Sequence, residues 1–169
     1  MRFQNTAQFE ALASRGYIVA SVDHAYDASL TIFKDGTIAD FRSGYEGELS
    51  EEEFWALRNP QLRTRVSDIR FMIDTIGFKQ LKSEEVWSVV DLERIGIFGH
   101  SYGGATSLIA SIQDERIDAA IALDGWMIPV PLDVIDGGSD KPFYYIGRES
   151  WPDPLNYEQL NKLLKNSSN

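Results

Sequence analysis

Apolar positions along this chain follow two rhythms. Near-continuous apolar runs at 17–22, 119–123 and 142–147 carry no polar alternation, the pattern of strands buried on both faces of a parallel sheet. Between them, Leu62, Val66, Ile69, Met72 and Ile73 recur at helical spacing within 61–75. Asn5 or Thr6 is placed to cap a first helix through about Ser14, with Phe9, Leu12 and Ala13 as its apolar face and Gly16 as its stop. Residues 31–34 and 37–40, joined by Asp35-Gly36, predict a β-hairpin with a type I′ turn. The acidic stretch 46–53 reads as a solvated loop or a helix start, broken by Asn59-Pro60; Gly77 stops the following helix, and 157–165 is a short final one. Strands alternating with helices predict an α/β fold, a mostly parallel sheet flanked by helices.

One more apolar run carries chemistry. Ile95-Gly96-Ile97-Phe98 leads into Gly99-His100-Ser101-Tyr102-Gly103-Gly104 and then into the good helix former 105–110. Strand, sharp turn with a serine at its tip, helix: this is the context that turns a bare Gly-x-Ser-x-Gly into the nucleophile elbow of an α/β-hydrolase. The turn lifts the serine hydroxyl above the sheet. Side chains at Gly99 and Gly103 are expected to collide with the neighbouring strand and helix. The N–H of Tyr102, opening the helix, is placed to donate to an oxyanion. In such sheets functional groups gather at the carboxyl ends of strands, where His24, Ser101 and Asp124 fall. Asp124 can orient an imidazole there, or it is a plain turn aspartate before Gly125.

Composition narrows the function. The chain has 169 residues, 43% of them hydrophobic and 25% charged, enough for one globular domain with a core. A net charge of −10 argues against nucleic acid as a partner. With no cysteine there is no thiolate nucleophile, disulfide or thiolate zinc site. Asp23, Asp27 and Asp40 are too scattered for a metal cluster, so neither metal nor cofactor is expected. No apolar stretch is long enough to predict a transmembrane segment, and the first residues do not read as a signal peptide. Compartment and oligomeric state stay open.

Several segments together resemble the platelet-activating factor acetylhydrolase family of serine esterases, secreted-type phospholipases A2, and its bacterial relatives. They are Leu12-Ala13-Ser14-Arg15-Gly16-Tyr17-Ile18-Val19-Ala20, Val22-Asp23-His24, Gly99-His100-Ser101-Tyr102-Gly103-Gly104-Ala105-Thr106 and Ala122-Leu123-Asp124-Gly125-Trp126-Met127-Ile128-Pro129. The resemblance implies an α/β-hydrolase in which Ser101 is the nucleophile and Asp124 the triad acid. The substrate it implies is a small-molecule or lipid ester of short acyl length, including 2-acetyl glycerophosphocholines.

The departures shape the reading. In this fold the triad runs Ser, acid, His along the chain, and no histidine follows His100. The family also has a histidine at the His24 position, which is not its general base. His100 sits inside the elbow, adjacent to Ser101. Both therefore read as structural or as supporting groups. Met1 falls where the family's second oxyanion loop would just have ended. Residues 1–169 are thus expected to be a single partial domain lacking N-terminal strands and a C-terminal strand and helix. Trp126 and Met127 line an acyl pocket or simply pack. Arg65 and Asp68, three apart on one helix face, read as an ion pair, and Trp151-Pro152-Asp153-Pro154 as a rigid loop without a catalytic group. The alternatives are a cutinase-like polyester hydrolase or dienelactone-hydrolase-like enzyme, or, in another class, a catalytically inactive fragment or a binding remnant.

Overall fold

The computed structural model describes residues 4–82 and 85–168; Met1 lies outside them. The chain forms two compact units, Met1–Ser50 and Glu51–Asn169.

In the first unit, helix α1 (Thr6–Ala13) ends where Gly16 takes a φ of +89° and the Tyr17 N–H bonds back to the Leu12 carbonyl. Residues 17–22 do not form a strand. They belong to no ladder, and Tyr17 and Ile18 are exposed. An apolar run becomes a strand only where a partner offers its hydrogen bonds. His24 accordingly ends no strand. The hairpin is present, with β1 (Leu30–Ile32) antiparallel to β2 (Ile38–Asp40), but its turn is not type I′. The Gly36 N–H bonds to the Phe33 carbonyl and the Phe33 N–H to that of Thr37. Gly36 is at φ +86° while Asp35 is not left-handed. A three-residue loop with one left-handed glycine is the result.

The second unit opens with helix α2 (Glu51–Leu81), 31 residues long, passing through both Pro60 and Gly77. Glu51, Glu52 and Glu53 sit in its first turn, where the helix dipole favours anions. Neither expected break occurs. Arg58, Leu62, Val66, Ile69, Ile73 and Ile76 are all buried along one stripe. Burying each aliphatic side chain is worth about 1.5–3 kcal/mol, together more than the ~3 kcal/mol of an internal proline and the ~1 kcal/mol of a glycine. After a 3₁₀ turn (Glu85–Val89) come β3 (Ile95–His100), α3 (Tyr102–Gln113), β4 (Ile117–Leu123), α4 (Leu132–Gly137), β5 (Phe143–Ile146) and α5 (Leu155–Asn166).

The three strands form a parallel sheet in the order β3-β4-β5. Helix α3 lies against β3 and β4, and α2 packs on α3, so the architecture is α/β with helices flanking a parallel sheet. The sheet is not buried on both faces. Ala120 and Ala122 are buried under α3, whereas Ile121 and its register partner Tyr144, with Ile146, are exposed by 40%, 68% and 54%.

A charged cluster ties the core elements at the α3–β4 turn. Asp114, 6% exposed, accepts Arg116 Nε at 2.9 Å and Nη2 at 2.7 Å. Arg116 reaches Asp74 on α2 at 2.6 Å. Arg70 of α2 donates to the Gln113 carbonyl, and Lys141 Nζ donates to the carbonyls of Asp114 and Ile117. The Arg116 hydrogen bonds hold the Asp114 carboxyl at about 2, against an ordinary 3.8.

This shift sets a pH dependence. Above about pH 5 the group is ionised in both states and its full contribution is present. As pH falls from there to about 2, the unfolded chain takes up the proton first and that contribution, about 2 kcal/mol, is lost. Urea unfolding across this range should show the loss in the wild type, with Asp114→Asn less stable near neutrality but flatter below pH 4. Parallel profiles for the two proteins would disprove it.

Candidate active site

Ser101 stands between β3 and α3 at φ +55° and ψ −118°, a region that a non-glycine residue occupies only at a cost of about 1–3 kcal/mol. Its surroundings hold it there. Its N–H donates to the Leu123 carbonyl at 2.9 Å, and its own carbonyl accepts from Gly104, Ala105 and Trp126. The elbow is therefore tied at both ends to the segment leaving β4.

The glycines explain how the turn closes. A Cβ on Gly99 would stand 2.3 Å from the Gly103 carbonyl oxygen, and one on Gly104 would stand 2.9 Å from the Gly125 Cα. A Cβ on Gly103 would meet nothing. The steric demand expected at Gly99 and Gly103 thus falls on Gly99 and Gly104. Gly103 matters as the backbone that Gly99 must admit.

Asp124 follows β4 at φ +46°. Its N–H donates to the Ile146 carbonyl at 2.6 Å. Because His100 is in register with Leu123 on the neighbouring parallel strand, Ser101 and Asp124 leave the same edge of the sheet side by side. The Asp124 carboxylate is 26% exposed. It accepts Trp151 Nε1–H at 3.0 Å and the Arg148 N–H at 3.3 Å, and it pairs with Arg148 Nε at 3.2 Å. Neither partner was legible beforehand: both lie far along the chain, and no local pattern marks them. The 151–154 loop, read as carrying no catalytic group, supplies a direct ligand of Asp124.

Behind Asp124 the turn is pinned by Asn156 of α5, which is wholly buried. Its Oδ1 accepts the Met127 N–H at 2.6 Å, and its Nδ2 donates to the Gly125 carbonyl at 3.1 Å. Tyr145 Oη donates to the same carbonyl. Burial, with Tyr157 and Asp124 nearby, pushes the Tyr145 phenol up to about 12.

Tyr102 places its backbone N–H in the first turn of α3, whose amides point away from the helix body. Its hydroxyl donates to the Arg58 carbonyl, and Arg65 lies 4.4 Å over its ring. Arg58, buried on α2, is surrounded by Trp126, Tyr102 and Phe54 at 5.1–5.9 Å from ring centres. Trp126 is thus part of an aromatic cage, while Met127 is fully buried core. His100 is exposed at the end of β3, facing away from the Gly99 side of that strand. His24 belongs to the first unit, where its carbonyl accepts from Asp27 and Ala28. A separate groove of about 310 Å³, lined by Leu62, Val66, Ile109, Gln113 and Val134, includes none of these site residues. Among the described residues no group of His, Asp and Glu is close enough to hold a metal, and no helix is long and apolar enough to cross a membrane.

Comparison with known proteins gives this geometry a context. Residues 5–169 match the family model described as platelet-activating factor acetylhydrolase, isoform II. The platelet-activating factor acetylhydrolase of dog is 31% identical over 89% of this chain, and that of cattle 32% over 89%. The chain spans 38% of each of these relatives. A solved ferulic acid esterase from Streptomyces cinnamoneus superimposes with a TM-score of 0.75 at 33% identity, over 99% of this chain and 45% of that one.

The contact distances make opposite forecasts for two neighbouring glycines. Gly99→Ala should cost several kcal/mol or abolish folding, because the obstructing atoms are backbone. Gly103→Ala should be neutral or stabilise by up to about 1 kcal/mol through helix propensity. Thermal melts of the two variants would decide, and equal losses would refute the steric assignment.

Proposed function

The chain belongs to the platelet-activating factor acetylhydrolase family, and from that premise we propose that it carries the nucleophile and acid of a serine esterase acting on short-acyl carboxylic esters. Ser101 attacks the ester carbonyl, the Tyr102 N–H donates to the resulting oxyanion, and Asp124 orients the imidazole that takes the serine proton. The observation that carries the reading is the pairing of a strained serine at φ +55° with an aspartate leaving the adjacent strand at the same sheet edge. The finer assignment is an acetyl ester at the sn-2 position of a glycerophospholipid, as the relatives' name implies. The ferulic acid esterase neighbour favours a second reading, an ester of an aromatic acid. Either substrate is a small molecule, and the chemistry needs no cofactor.

The imidazole is the unusual element. The sequence holds two histidines, His24 and His100, and neither is assigned as the base; the proposal places it outside these residues. Losing the base of such a triad costs up to about 10⁶ in turnover.

Hydrolysis of nitrophenyl acetate by the 169-residue chain tests this directly. Without added imidazole its rate should equal that of Ser101→Ala. With imidazole a saturable rate should appear that Ser101→Ala and Asp124→Asn both abolish. Serine-dependent turnover without imidazole would place the base inside the chain, and His24→Ala would then locate it. No serine-dependent rate under either condition would overturn the esterase reading in favour of a binding remnant. Feruloyl and 2-acetyl glycerophosphocholine esters, compared under the active condition, separate the two substrate classes.

A further inference from the structure

The Asp124 carboxylate has both oxygens engaged. Oδ1 accepts the Trp151 indole N–H at 3.0 Å and the Arg148 backbone N–H at 3.3 Å, while Oδ2 faces Arg148 Nε at 3.2 Å. The Arg148 guanidinium also lies 4.3 Å over the Trp151 ring. A triad acid must offer one oxygen to an imidazole N–H; Oδ1 already accepts two N–H donors, so the oxygen left for it is Oδ2, where Arg148 Nε stands.

The two side chains differ in how easily they leave. Trp151 is half-buried in a loop stiffened by Pro152 and Pro154. Its ring is rigid and has a single donor. If Oδ1 turned away, that N–H would lose its acceptor at a half-buried position. Arg148 has a side chain 49% exposed, a long flexible stem and several further N–H groups that water can serve. An ion pair at such a site contributes little and exchanges readily. The guanidinium also has the charge that an imidazolium acquires during acyl transfer, so it can stand on the same oxygen in its absence.

We propose that Trp151 is a positioning residue that fixes Oδ1 of Asp124, and that Arg148 is a displaceable cation holding Oδ2, the oxygen that receives the imidazole. The assignment rests on Asp124 being the triad acid, as proposed above. It divides the roles within one short segment after β5. The indole sets the plane of the carboxylate, and the arginine keeps its second oxygen satisfied until the imidazole arrives.

Nitrogen-15 spectra of the intact chain, titrated with imidazole near neutral pH, test the assignment. The Arg148 Nε–H signal should move to the position of a free surface arginine, while the Trp151 indole N–H stays in place and remains slow to exchange. Arg148→Gln should bind imidazole several-fold more tightly, because no cation must leave. Asp124→Asn should remove the imidazole response and shift the indole signal. The proposal is overturned if imidazole releases the indole and leaves Arg148, if neither signal responds, or if the indole is indifferent to Asp124→Asn. Release of Arg148 without any Ser101-dependent hydrolysis in imidazole would instead fail the nucleophile reading and leave the oxygen assignment standing.

Discussion

Gly99 and the backbone of Gly103 approach so closely that no side chain fits between strand β3 and the first turn of α3. The strand can reverse into the helix in one residue only because of this contact, and that residue, Ser101, absorbs the reversal by entering the left-handed region. The strain is local, but its containment is not. The Ser101 N–H and carbonyl are both spent on the segment 123–126, so the conformation of the serine depends on β4 lying beside β3 in register. A further close contact, Gly104 against Gly125, brings the helix down onto the segment that carries Asp124. These two close contacts couple the serine, the helix terminus and the aspartate at one edge of the sheet.

What stands behind that edge is polar and buried. Asn156 satisfies the backbone of 125–127 from α5, much as a piece of secondary structure would. An irregular segment in a core must have its amides and carbonyls paired, and a buried asparagine offers both a donor and an acceptor. At the opposite end of the sheet the Asp114–Arg116–Asp74 cluster does comparable work for the α3–β4 turn, with charge in place of amides. The segments at the two ends of β4 are thus held by side chains from other elements, Asn156 of α5 at one end and Asp74 of α2 with Lys141 at the other. The middle of the sheet is held by alanines and by apolar contact with α3.

The elbow was legible because its information is local. Gly-x-Ser-x-Gly, the apolar run before it and the helix former after it all fall within a short window, and each obeys the same backbone geometry. The run 119–123 and the final helix were legible for the same reason. Misreadings arose where a local signal was outvoted. Pro60 and Gly77 are real helix breakers, but the stripe from Arg58 to Ile76 buries enough surface to carry α2 through both. Residues 17–22 have strand composition yet form no ladder, since composition cannot supply a partner. At the elbow itself the sequence pattern marked the glycines but not which of them the sterics require.

The sequence by itself determined the α/β class, the serine turn and the aspartate that follows the next apolar run, because each is written in residues close together in the chain. Only the tertiary structure decided that Ser101 and Asp124 leave the sheet side by side. It also decided that Trp151 and Arg148 share the aspartate's carboxylate and that Asn156 pins the turn behind it. Those relations join residues more than twenty positions apart, and no local propensity encodes which side chains a strand register and a helix packing will bring together.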